Sequence, residues 1–128
     1  MNVYNYKFKN LDKIKDPNKL KIIENVCNKL INDKNVNNIL ESISIFGSVA
    51  RGDDKNDSDI DFYLTFNISP IDENYIYIPY VDKAIDIIMN NVPWKYGADV
   101  CIKDDFVKYG KLFYKNLERD KLTIYDRS

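Results

Sequence analysis

The stretch FGSVARGDDKNDSDIDFYL, residues 46–64, decides how this chain is read. It holds five aspartates between positions 53 and 61: Asp53, Asp54, Asp57, Asp59 and Asp61. Crowded carboxylates repel one another, so a folded chain keeps such a group in open solvent or around a cation. The end of the stretch alternates, with Ile60, Phe62, Leu64 and Phe66 on one side and Asp59, Asp61, Tyr63 and Thr65 on the other. That period of two predicts a strand over 59–66 and puts Asp59 and Asp61 on one of its faces.

Working outward, residues 42–46 alternate in the same way up to Gly47, as a short strand entering a tight turn would. Upstream, Asp16-Pro17 reads as a helix N-cap with proline at the first helical position. Leu20, Ile22, Ile23, Val26, Cys27, Leu30 and Ile31 then recur at helical spacing, giving a core-facing helix to about residue 34. The lysines around it (Lys7, Lys9, Lys13, Lys15, Lys19 and Lys21) read as a solvated face. Downstream, 67–70 reads as a loop, and Val81, Ala84, Ile85 and Ile88 predict a second helix over 81–89. A third strand follows at 98–102, with Val100 and Ile102 on one face and Asp99 and Cys101 on the other. A helix over 104–117 with Phe106, Phe113 and Leu117 inward, interrupted by Gly110, and an edge strand over 121–125 complete the pattern. Helices interleaved with strands predict an α/β domain: a small sheet with helices packed on it.

The chain of 128 residues, 45% hydrophobic, is long enough for one core and reads as one domain over 1–128. A net charge of −1 offers no global attraction for nucleic acid. No apolar run suits a membrane span or a signal peptide, so a cytoplasmic protein with no membrane partner is expected. Cys27 and Cys101 match no metal or redox spacing and read as core thiols. The absence of histidine removes Ser-His-Asp hydrolysis, Cys-His catalysis and the His-Glu-x-x-His zinc site together. Catalysis, if present, must run on carboxylates with a hard cation.

Spacing separates the readings of the acidic stretch. An EF-hand loop counted from Asp57 would need glycine at its sixth position and glutamate at its twelfth, where Phe62 and Ile68 stand. A P-loop would need Lys-Ser or Lys-Thr after Gly52, where Asp53 and Asp54 would repel a triphosphate. Gly47-Ser48, ten residues, then Asp59-Ile60-Asp61, with Arg51-Gly52 and Ser58 in between, remains. This arrangement resembles the nucleotidyltransferase superfamily that includes DNA polymerase β, and most closely its minimal branch, whose signature is Gly-Ser, ten residues, Asp-x-Asp. The resemblance spans about residues 43–102 and implies a polymerase β-like mixed sheet with helices packed on it.

What the resemblance implies for each residue agrees with the chemistry. Asp59 and Asp61 would hold two Mg²⁺ ions, with Mn²⁺ as an alternative, which neutralise the charge of a nucleoside triphosphate such as ATP. Gly47 would let the backbone approach the phosphates, Ser48 would offer its hydroxyl and N–H, and Arg51 would clamp the same phosphates. The family's third carboxylate, a metal ligand and proton acceptor on a neighbouring strand, matches Asp99; Asp86, Asp104 and Asp105 are the rivals. Asp53, Asp54 and Asp57 have no place in the motif and read as a solvated loop.

Stand-alone members of the minimal branch resemble antitoxins that inactivate a HEPN-domain ribonuclease toxin by adding AMP to a tyrosine. The resemblance therefore implies transfer of a nucleoside monophosphate, AMP from ATP, to a hydroxyl, with a HEPN toxin as protein partner. A catalytic core of 128 residues has little material for an acceptor pocket, so that partner or a second copy of the chain is expected to supply the acceptor surface. The alternatives are a small-molecule nucleotidyltransferase acting on an antibiotic hydroxyl, and a non-catalytic antitoxin that only binds.

Overall fold

The computed structural model describes residues 8–68, 78–103 and 110–127. The elements follow in the order α1 (Pro17–Asn32), α2 (Lys34–Ile39), β1 (Leu40–Phe46), α3 (Gly47–Arg51), β2 (Ile60–Phe66), α4 (Ile78–Asn91), β3 (Ala98–Ile102), α5 (Lys111–Asp120) and β4 (Leu122–Asp126). Among the described residues the strands form one mixed sheet in the order β3-β2-β1-β4. β1 runs antiparallel to β2 and β4, and β2 runs parallel to β3 through the crossover that contains α4.

The capping predicted at Asp16 is present: its carboxylate accepts from the N–H groups of Asn18 (2.8 Å) and Lys19 (3.4 Å). Two of the helix's orphan donors are thereby satisfied. α1 stops at Asn32 because Asp33 begins a new helix, accepting from Asn35 N (3.0 Å) and Val36 N (3.1 Å). Asp33 also pairs with Lys83 of α4 at 2.8 Å, which ties three helices at one corner. α2 was not foreseen, since its six residues are too few to show a period.

One face of the sheet meets α1 and α4. Ile23, Val26, Leu30, Ile43, Ile45, Ile60, Phe62, Leu64, Ala84 and Ile88 form its core, and each is fully buried. The opposite face is covered by α5, where Tyr63 and Cys101 pack with Tyr114 and Leu117. Between them β1 and β2 set buried hydroxyls, Ser42 Oγ lying 2.5 Å from Thr65 Oγ1. α5 starts at Lys111, with Gly110 as its N-cap residue, and continues to Asp120. The predicted start at 104, with Phe106 and the carboxylates Asp104 and Asp105, lies outside the described residues. β4 is an edge strand, as expected, and part of its outer edge is occupied: Lys9 N donates to Ile124 O at 2.7 Å and Asn10 Nδ2 to Thr123 O at 2.7 Å.

Both cysteines are buried and outside any disulfide, and burial, then Glu24, pushes the Cys27 thiol well above its ordinary range. Among the described residues no helix is long and apolar enough to cross a membrane.

Candidate active site

Asp61 and Asp99 are paired in register across the parallel strands β2 and β3, so their carboxylates leave the same face side by side. Asp59 stands one residue before β2, where Ile60 N donates to Gly97 O at 3.1 Å and fastens the start of β2 to the turn before β3. The backbone of Gly97 leaves room for the Asp59 side chain: a Cβ there would lie 2.7 Å from Asp59 Oδ1, and φ is +79°. A side chain at 97 would therefore displace Asp59 and strain the backbone.

Asp61 feels both of the other acids. The Asp61 carboxyl is pushed up to about 6, first by burial, then by the charges of Asp99 and Asp59, with Arg51 pulling the other way. Repulsion of this kind is what a cation would relieve. The donors are carboxylate oxygens, which suits a hard divalent ion such as Mg²⁺ rather than zinc or copper. Among the described residues, no three acidic or cysteine side chains are grouped closely enough to hold a metal ion together.

Gly47 and α3 begin where β1 ends, beside Asp61. Gly47 has φ +71°, and the space a Cβ would fill is occupied by the Asp61 carboxylate. Besides the phosphate approach that the resemblance implies for it, this glycine is required for the seating of Asp61. Ser48 is half-buried in the first turn of α3, its carbonyl accepting from Gly52 N (2.9 Å) and Asp53 N (3.1 Å). Arg51 is exposed, with Nε 3.3 Å from Asp53 Oδ2. Its charge reaches both Asp61 and Asp120 at the end of α5. Gly47, Ser48, Arg51, Asp59, Asp61 and Asp99 are thus gathered at one end of the sheet. Asp86 is not among them: it is exposed on α4, which packs on the opposite face.

Two expectations fail at the loop between α3 and β2. Asp53 and Asp57 are exposed as predicted, but Asp54 is not solvated: its carboxylate pairs with Lys19 at 2.5 Å, and both side chains are buried, at 8% and 0% exposure. Lys19 was placed on a solvated face. Its position shows why it is not, because it lies on the stripe of Ile23, Val26 and Leu30, at i, i+4, i+7 and i+11. Gly97 was also missed, since one glycine before a strand carries no distinctive spacing.

A cleft of about 760 Å³ opens beside the acids, lined by Lys15, Asn18, Gly52, Asp57, Lys95 and Tyr96 among others. The three aspartates do not line it, so it adjoins the acidic site without containing it.

With this geometry in place, the class follows from the family match. Residues 20–113 match the nucleotidyltransferase domain family, a span that includes every residue of the acidic site. This chain is a member of that family. No curated protein sequence matches it. Among solved structures it is similar to a crystal structure of a Sulfolobus solfataricus protein provisionally described as a nucleotidyltransferase. The TM-score is 0.42 and the identity 23%, over 84% of this chain and 76% of that one. The assignment rests on the family match.

Proposed function

We propose that this nucleotidyltransferase moves a nucleoside monophosphate, AMP from ATP, onto a hydroxyl with the help of divalent cations. The observation that carries the reading is the in-register pair Asp61 and Asp99, with Asp59 close enough for its charge to act on Asp61 as well. Asp59 and Asp61 would hold two Mg²⁺ ions, with Asp99 as a third ligand. Bound there, the ions would supply positive charge to the α-phosphoryl group and the leaving pyrophosphate.

The chain's own groups then have distinct tasks. Asp99 accepts the proton of the attacking hydroxyl as its oxygen forms the new bond to the α-phosphorus. The bond from that phosphorus to the bridging oxygen breaks, and pyrophosphate leaves. Ser48 and Arg51 hold the β- and γ-phosphates, and the left-handed turn at Gly47 keeps Asp61 in place below them. A carboxylate base fits a chain with no histidine.

The proposed acceptor is a tyrosine of a HEPN-domain toxin, as the likeness to minimal-branch antitoxins suggests. The experiment is co-expression with such a toxin followed by mass spectrometry. The toxin should be heavier by one or more AMP units with the wild-type protein and unmodified with Asp59→Asn/Asp61→Asn. Asp99→Asn should keep affinity for nucleotide while turnover falls, because its task lies in the chemical step. A toxin neutralised without modification would overturn the transfer reading in favour of binding alone. The cleft beside the acids is the observation favouring a small-molecule acceptor, and labelling of a low-molecular-weight product instead of protein would select that reading.

A further inference from the structure

We infer that Lys19, on α1 and outside the motif, is the positioning residue that fixes Asp59; the inference rests on the metal-binding role proposed for Asp59. Lys19 is fully buried, an unusual state for a lysine. Its ammonium donates to Asp54 Oδ2 and, at 2.6 Å, to the carbonyl of Lys55. That carbonyl also accepts from Ser58 N at 3.0 Å, while Lys55 N donates to Ser58 Oγ at 2.8 Å. Ser58 is the residue before Asp59, so a short chain of hydrogen bonds leads from the lysine to the acid's neighbour in the backbone.

The same ammonium lies 5.7 Å from the centre of the Tyr96 ring, within cation–π range. Tyr96 is buried and precedes Gly97, whose backbone makes room for the Asp59 carboxylate. One cation therefore touches the segment leading into β2 and the turn leading into β3, the two strands that bear the acids. A loop this rich in aspartate would otherwise be pushed outward by its own charge. A buried, hydrogen-bonded ion pair fixes geometry more than it stabilises, since replacing such pairs with apolar residues often leaves stability unchanged or raises it. Outer partners of metal ligands commonly set affinity through orientation in this way.

The test uses the full chain with Lys19→Met, and with Lys19→Met/Asp54→Leu, which leaves no unpaired buried charge if the single variant folds poorly. Hydrogen exchange of the amides at 53–60 and Mn²⁺ binding followed by electron paramagnetic resonance are the readouts. In folded variants the loop amides should exchange faster than in wild type, with those of α4 and β4 unchanged, and Mn²⁺ affinity should fall about 10-fold or more. Native Mn²⁺ affinity in the apolar pair, at native thermal stability, would overturn the inference and make Lys19 a packing residue. Wild-type protein that binds no Mn²⁺ would sink the metal reading itself, and loop exchange alone would then decide whether Lys19 is the anchor.

Discussion

Asp61 and Tyr63 leave the same face of β2 two residues apart, and each faces its register partner on β3, Asp99 for the first and Cys101 for the second. Tyr63 is fully buried beneath Tyr114 and Leu117 of α5, with Lys121 Nζ 5.6 Å from its ring centre and its hydroxyl 3.4 Å from Glu118. Asp61 is only half-buried, among like charges. One step along the strands thus separates a covered aromatic layer from a strip of acids. The aromatic step lowers the free energy of the fold by removing apolar surface from water. The acid step raises it through repulsion, and such local destabilisation is expected where a group is kept for chemistry.

This division can be broken by experiment. The largest effect is expected at the aromatic step, where Tyr63→Ala should cost about 3–5 kcal/mol of stability through the cavity it leaves. Thermal denaturation measures the loss, and transfer per folded molecule at low temperature should change little. Loss of transfer in protein that remains folded would show that the two steps are not separable. At the acid step the reverse is expected. Replacing either Asp59 or Asp61 with Asn should reduce transfer about a hundredfold or more, without loss of stability, because charge is removed while shape is kept. Full activity in both variants would remove the acids from the chemistry.

The succession of strands along the chain was legible in the residues themselves, whereas their order in the sheet was not. Alternation at 59–66 and 98–102 located β2 and β3, because strands expose their periodicity directly, and the Gly47-to-Asp61 spacing marked residues that the fold gathers at one end of the sheet. Asp99 was singled out by the resemblance, and the alternation at 98–102 set it on a strand, where it pairs in register with Asp61. What stayed hidden depended on three-dimensional neighbours. Lys19 looked like surface because lysine usually is, and only the loop folded over it supplies Asp54 and the Lys55 carbonyl. Gly97 was unreadable for a similar reason: its requirement is set by the Asp59 carboxylate, 38 positions earlier in the chain. Helix α2 was too short to show its period, and its N-cap, Asp33, could equally have ended α1.

The smallest expected effect concerns pH, and it sharpens the contrast between the two steps. The Asp61 carboxyl sits at about 6 in the folded protein against an ordinary 3.8, so the folded state binds its proton more tightly than the unfolded state does. Stability from this group is therefore fully present below the ordinary value and is lost as pH rises through about 6. Asp61→Asn carries no charge at any pH and escapes that loss. Measured in EDTA, the variant should be more stable than wild type by about 2 kcal/mol near pH 8, with the difference shrinking below pH 6 and vanishing near pH 4. Solvent access to the half-buried carboxyl keeps the figure below the full shift. Added Mg²⁺ should then reverse the ranking at pH 8, because cation binding to the ionised acids stabilises wild type and not the variant. A pH-independent difference would mean that Asp61 is strained by packing rather than by charge. A difference that grows toward low pH would mean that a partner stabilises its ionised form, and the acid strip would then have to be read as a structural network.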